Sequence, residues 1–178
     1  MKFVLLTMLA GIMLAPAASA QKLELKLDAL AAKASDKAEV DLDGILLKLA
    51  MRHGLARKDK DDKSPAGDWL SGVREIHVRH YEFDKEGSYS DQDLEPLRKQ
   101  VSEAAGWSRF FNVREKDERA EVFVMSQGGK VGSCLILATE AKQLSVVYIM
   151  GTLTLAQMKG LADSHAVSNL AALAELVQ

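Results

Sequence analysis

Ala120-Glu121-Val122-Phe123-Val124-Met125-Ser126, then Gln127-Gly128-Gly129-Lys130, then Val131-Gly132-Ser133-Cys134-Leu135-Ile136-Leu137-Ala138-Thr139: this stretch decides the fold. Two apolar runs flank a pair of adjacent glycines. Adjacent glycines can both take the positive φ angles that a two-residue hairpin needs. Val122 and Val124 alternate with Phe123 and Met125, so both parities of the first run are apolar. Successive strand side chains point to opposite faces. The hairpin therefore belongs to a sheet covered on two sides, or to one that pairs with a partner.

Outward from the hairpin the pattern repeats. Phe110–Arg114 precedes it and Leu144–Gly151 follows it, across the polar gaps Glu115–Arg119 and Glu140–Gln143. The four runs read as an antiparallel meander. Upstream, Ser90-x-x-Asp93 places a hydroxyl and a carboxylate where a helix has free amides. Leu94, Leu97, Val101 and Ala104 then recur at helical spacing, predicting a helix over Ser90–Ala105 that stops at Gly106. Val73–Phe83 reads as a strand. Its Ile76 and Val78 share one parity and Tyr81 and Phe83 the other, which a bulge near Arg79-His80 would reconcile.

The flanks read as helical. Leu27, Leu30, Ala31 and Ala34 share a face, predicting a helix over Leu25–Ser35. Glu39–Leu42 is a short extended piece that the sequence neither joins to the sheet nor separates from it. Asp43 caps a second helix over Gly44–His53, with Gly54 as its stop. At the other end, Thr154-x-x-Gln157 is a capping box for a helix running to about Ser164. Ser168 opens a last one with Leu170, Leu173, Leu176 and Val177 on one side. The prediction is α+β: a curved antiparallel sheet of about five strands, in strand–helix–meander order, packed with helices.

The first twenty residues read as something other than fold. Met1-Lys2, the apolar run Phe3–Ala15 and the close Ala18-Ser19-Ala20 make a secretory signal peptide, cut between Ala20 and Gln21. That run is 13 residues long, against the ~20 a membrane-spanning helix needs. The expectation is an exported protein, periplasmic or extracellular, with no transmembrane segment after cleavage. Residues 21–56 form a helical N-terminal segment and 57–67 (Arg-Lys-Asp-Lys-Asp-Asp-Lys-Ser-Pro-Ala-Gly) a charged loop or linker. Residues 68–178 form the main domain. Residues 21–56 are too few for a core of their own, so 21–178 reads as one domain.

Composition excludes several classes. Losing Lys2 turns 23 basic side chains into 22, against 25 acidic. So balanced a chain has no footprint for nucleic acid. The single cysteine, Cys134, forbids an internal disulfide and, in its apolar run, reads as a small buried hydrophobe.

The stretch from Trp69 to Gly160 carries a pattern of hydrophobic and glycine positions. It runs Trp69-Leu70-Ser71-Gly72-Val73-Arg74-Glu75-Ile76, Tyr81-Glu82-Phe83, Trp107, Val122-Phe123-Val124, Gly128-Gly129 and Val131-Gly132. Val146-Val147-Tyr148-Ile149-Met150-Gly151 and Leu153-x-x-x-Gln157 complete it. This resembles the domain-of-unknown-function family 4252, a group of small exported bacterial proteins, and residues 23–53 fit its alanine-rich leader. The resemblance implies an exported α+β protein with no established activity and transfers no functional residues.

No arrangement of side chains makes a catalytic motif. His77 and His80 are the metal candidates, but an odd spacing in a regular strand turns them to opposite faces, and only a bulge at Arg79 would bring them together. Zinc needs three or four ligands, and no compact third one accompanies them. Ser133-Cys134 lacks the turn of a nucleophile elbow, and Gln127–Lys130 lacks the phosphate-loop signature. Asp61-Asp62, Asp91 with Asp93, and Asp117-Glu118 sit in loops or caps, where solvation and amide capping explain them. Lys58–Lys63 mixes both signs and reads as a solvated loop. Trp69, Trp107 and Tyr81 are the candidates for contact with a small apolar ligand, since concave sheets seat such molecules.

The expectation is a non-catalytic exported binding or interaction protein, needing no cofactor, with an envelope protein or a second copy as partner. The alternatives are a carrier of a small apolar ligand, and a hydrolase or metalloenzyme using His77, His80 and Tyr81.

Overall fold

The computed structural model of the protein describes residues 23–50, 72–154 and 157–158. One sheet contains β1 (Asp36–Leu42), β2 (Val73–Glu82), β3 (Trp107–Glu115), β4 (Glu118–Gln127), β5 (Lys130–Thr139) and β6 (Gln143–Leu153). Their spatial order is β1-β2-β6-β5-β4-β3, with every neighbouring pair antiparallel. Helices α1 (Asp28–Ala31), α2 (Gly44–Ala50) and α3 (Asp91–Gln100) accompany it, and a 3₁₀ turn, Glu103–Ala105, follows α3. The class is α+β, with six strands where about five were expected.

The sixth strand is β1. The short piece Glu39–Leu42 is the end of a seven-residue strand that pairs with β2 from Asp36↔Glu82 to Leu42↔Ile76. Correspondingly, only Asp28–Ala31 of the expected Leu25–Ser35 helix is helical. The Ser35 amide and hydroxyl both donate to the Glu82 carbonyl, at 2.8 and 3.1 Å. That contact delivers the chain into the sheet, and strand pairing outweighs the modest helix preference of alanine.

The central strands of the sheet are buried on both faces, and this removes the expected bulge near Arg79-His80. Pairing of β2 with β6 is regular from Glu75 to Glu82, and its one register shift lies between Val73 and Glu75. Ile76 and Val78 enter one core with Val40, Cys134, Val147, Ile149 and Leu47 of α2. Tyr81 and Phe83 enter a second core with Leu135, Leu144 and Tyr148, under Leu94, Leu97 and Val101 and beside Leu23, Leu27 and Leu30. The two parities never needed reconciling. Each fully buried leucine or isoleucine contributes ~1.5–3 kcal/mol of transfer free energy, so both layers are substantial.

Local signals hold where they are strongest. Gly128 and Gly129 have φ of 59° and 76° and join β4 to β5 in two residues. The Ser90 amide donates to Asp93 Oδ2 at 2.8 Å, and Leu46 N reaches Asp43 Oδ1 at 3.5 Å. The Thr154 amide donates to Gln157 Oε1 at 2.8 Å, and the Gln157 amide returns to Thr154 Oγ1 at 3.3 Å. Helix α3 is shorter than predicted. Val101 leaves helical geometry, the 3₁₀ turn closes on Gly106 at φ 81°, and Trp107 begins β3. The linker 57–67, the signal peptide and the last helix lie outside the described residues, as does Trp69.

Candidate functional site

Polar chemistry collects in two clusters on the face of the second core. The first spans β1 and β2, where the register sets Asp41 opposite His77 and Glu39 opposite Arg79. His77 Nδ1 lies 2.6 Å from Asp41 Oδ1, and its Nε2 lies 3.3 Å from Glu75 Oε2. Arg79 donates to both Asp41 oxygens, at 2.8 and 3.0 Å. Partial burial acts to raise the Asp41 carboxyl, but the bonds from Arg79 and His77 outweigh it and keep that carboxyl below its usual range. The Tyr81 hydroxyl donates to Glu39 Oε1 at 2.8 Å, and burial together with that bond pushes its pKa upward. The His77 ring stacks on Tyr148 at 5.8 Å.

His80 faces the other way, as its odd spacing from His77 requires. Its Nδ1 is 2.8 Å from Ser145 Oγ. His77 and His80 thus do not meet. The carboxylates around His77 approach opposite ring edges, so their lone pairs do not converge on one point as a metal ion demands. Among the described residues, no group of three or more His, Cys, Asp or Glu is arranged to hold a metal. Cys134 is fully buried, and burial pushes its thiol up to about 12, which leaves it unreactive.

The second cluster lies beneath α3. Glu121 on β4 has no solvent exposure. Arg98 reaches its Oε2 through Nε at 3.1 Å and Nη2 at 2.9 Å, and Arg119 Nη2 reaches its Oε1 at 2.8 Å. Arg109 Nη2 stands 3.9 Å away. Arg98 also binds Asp91 Oδ1 at 2.9 Å, and that bond draws the Asp91 carboxyl down. A buried carboxylate shared between guanidiniums pins the helix to the sheet. Sequence reasoning missed it. The one signal was that Glu121 shares parity with Phe123 in an otherwise apolar run, so it had to point inward.

Beside this network, between the 3₁₀ turn and β3–β4, lies a groove of about 510 Å³. Trp107, Phe123 and Val101 supply its apolar side, and Arg98, Arg109 and Ser102 line it as well. Arg109 lies 5.4 Å over the Phe123 ring. Of the three residues predicted to meet an apolar ligand, Trp107 lines this groove, though it is itself buried and tilts against Tyr148 at 6.4 Å. Tyr81 does not line it. It lies on β2, three strands from β4, in contact with Glu39.

The β3 edge is the third feature. Among the described residues strand β3 pairs only with β4, and from Ser108 to Glu115 every residue is exposed. Phe110 and Phe111 keep about half their surface in water, at 51% and 48%, and Val113 keeps 39%. A register shift between Arg109 and Phe111 marks a bulge there.

A family described as a domain of unknown function, DUF4252, matches residues 32–161. The chain belongs to this family. The DUF4252 match takes in all six strands and α3. No curated protein and no solved structure matches the chain. Two glycines of the DUF4252 pattern have a plain physical role. A Cβ on Gly151 would lie 2.3 Å from the Gly72 carbonyl oxygen, and one on Gly72 would lie 2.1 Å from the Thr152 carbonyl oxygen. Here β2 and β6 approach too closely for any side chain. No helix among the described residues is long and apolar enough to cross a membrane.

Proposed function

We propose that this DUF4252 protein is an exported, non-catalytic interaction protein whose working surface is the β3 edge. The exposed Phe110-Phe111-x-Val113 run, on a strand whose outer edge has no partner among the described residues, supports this reading above all. Natural edge strands are usually blunted by charge or cover. Large apolar side chains left on one are the mark of a docking surface. The ionisable clusters support it too, because their charges are spent on one another: Asp41 on Arg79 and His77, and Glu121 on Arg98 and Arg119. Export rests on the leader pattern of residues 1–20. The test is retention of envelope proteins, and of free copies of the same chain added at high concentration, by the immobilised protein, compared with its Phe111→Lys variant. Retention lost in the variant supports the reading. Equal retention by both, or none by either, refutes it.

The 510 Å³ groove favours a second reading, a carrier of a small apolar ligand. Its apolar side suits such a molecule. Mass spectrometry of an organic extract of the natively purified protein decides this, and repeated absence of any bound molecule counts against it.

A further inference from the structure

We infer that the β3 edge pairs with β3 of a second copy, antiparallel and symmetric about Asn112. This rests on the β3 edge being the working surface, and adds what occupies it.

The argument starts at the turn. Glu115 and Glu118 pair across the two-residue loop Lys116-Asp117. A pair flanking so short a loop exchanges both of its hydrogen bonds, and such pairs alternate along an antiparallel ladder. Val113, opposite Ala120, therefore also turns its peptide groups toward β4. Asn112 and Arg114 turn theirs outward, toward whatever lies beyond the edge.

A two-fold axis at Asn112 uses those outward groups. Asn112 meets Asn112 of the second copy as a doubly hydrogen-bonded pair. Phe111 of each copy meets Val113 of the other, and Arg114 of each comes opposite Phe110. Apolar side chains meet apolar ones, and no like charges are opposed, which favours this register. An axis at Val113 instead sets Phe111 against Glu115 and loses the match. The bulge after Arg109 limits the ladder to about five residues per copy. The contact is small. Half of each phenylalanine amounts to ~100 Å², so the two copies cover on the order of 500 Å² of apolar surface. A standard interface buries ~1,600 Å² in total. The dimer is consequently weak and transient.

The test joins sedimentation to cross-linking in the purified protein. Cys134 is buried and is the only native thiol, so an introduced cysteine reports alone. Asn112→Cys should give a disulfide-linked dimer under mild oxidation, because a hydrogen-bonded pair holds its Cα atoms ~5.5 Å apart. Lys116→Cys should not, since the two positions lie ~27 Å apart in this register. The unmodified protein should show a monomer–dimer equilibrium that Phe111→Lys weakens at least tenfold. A dimer indifferent to Phe111→Lys, or equal cross-linking at both positions, overturns the inference. A strict monomer at several hundred micromolar overturns it as well. If that monomer still binds a synthetic apolar β-strand peptide at β3, the interaction reading stands without self-pairing; if it binds none, both fail.

Discussion

Replacing Glu121 by glutamine tests the network that fastens α3 to the sheet. The carboxylate has no solvent exposure and accepts three bonds of 3.1 Å or less from Arg98 and Arg119. Glutamine keeps the shape and one acceptor but turns an amide NH₂ toward a guanidinium. Removing one partner of a buried ion pair costs ~3–5 kcal/mol, chiefly through the charge left behind. Here the stranded charges are partly relieved. Arg98 keeps Asp91, and the Arg119 side chain is 21% exposed. The expected loss is therefore ~2–3 kcal/mol, or a Tm drop on the order of 5–10 °C for a chain of this size. Urea titration followed by tryptophan fluorescence measures it, with the slope unchanged. Buried pairs are weakly screened, so the loss should persist at ~1 M NaCl. A loss under ~0.5 kcal/mol, or one that disappears in salt, would refute the claim that Glu121 works as a buried ionic anchor.

Three further outcomes follow from the structure. Gly151→Ala should destabilise by at least ~2–3 kcal/mol, because its Cβ would meet the Gly72 carbonyl oxygen at 2.3 Å; unchanged thermal unfolding would contradict the close approach of β2 and β6. Hydrogen bonds from Lys33 and Ser90 lower the Asp93 carboxyl to about 2. A depressed carboxyl stabilises the fold above its unfolded value, and that contribution fades as pH falls from ~5 through the folded value toward ~1. Asp93→Asn should therefore cost ~1 kcal/mol at neutral pH, after allowance for solvent screening, and almost nothing near pH ~1, below the folded value; a pH-independent difference would count against it. Cys134 should resist thiol reagents in the native protein and react fully in denaturant, at a rate set by unfolding; fast native labelling would mean that the core around it is open.

The hairpin and both capping boxes were legible because each is decided by a few neighbouring residues. Gly128-Gly129, Ser90 with Asp93, and Thr154 with Gln157 need no distant partner to declare themselves. Strand parity opposed the two histidines, but the expected bulge between them would have undone that, and only the regular pairing of β2 with β6 keeps them apart. What escaped depended on remote contacts. Asp36–Leu42 carries an alternating Ala38, Val40, Leu42 pattern, but its alanine-rich neighbourhood read as helix, and only pairing with Glu82 commits it to the sheet. The bulge expected at Arg79-His80 came from not extending to β2 the two-sided cover already read for the hairpin. Among the candidate ligand residues, Trp107 does border a groove, whereas Tyr81 is spent on Glu39. The Arg98–Glu121 anchor joins positions on separate elements, which spacing along the chain cannot reveal. The exposed phenylalanines were read as ordinary strand residues, because a strand's place at the rim of a sheet is a property of topology.

The two rims of this sheet are unlike. Opposite the aromatic rim, β1 presents Asp36, Lys37, Glu39 and Asp41 to water. An arriving strand would have to dehydrate those charges before gaining a single ladder bond, and it would gain little apolar contact in return. Growth by adding sheets edge to edge therefore has a forward end and no second one. Whatever seats itself on Phe110 and Phe111 finishes the structure, and concentrated solutions of this protein should yield discrete particles and never filaments.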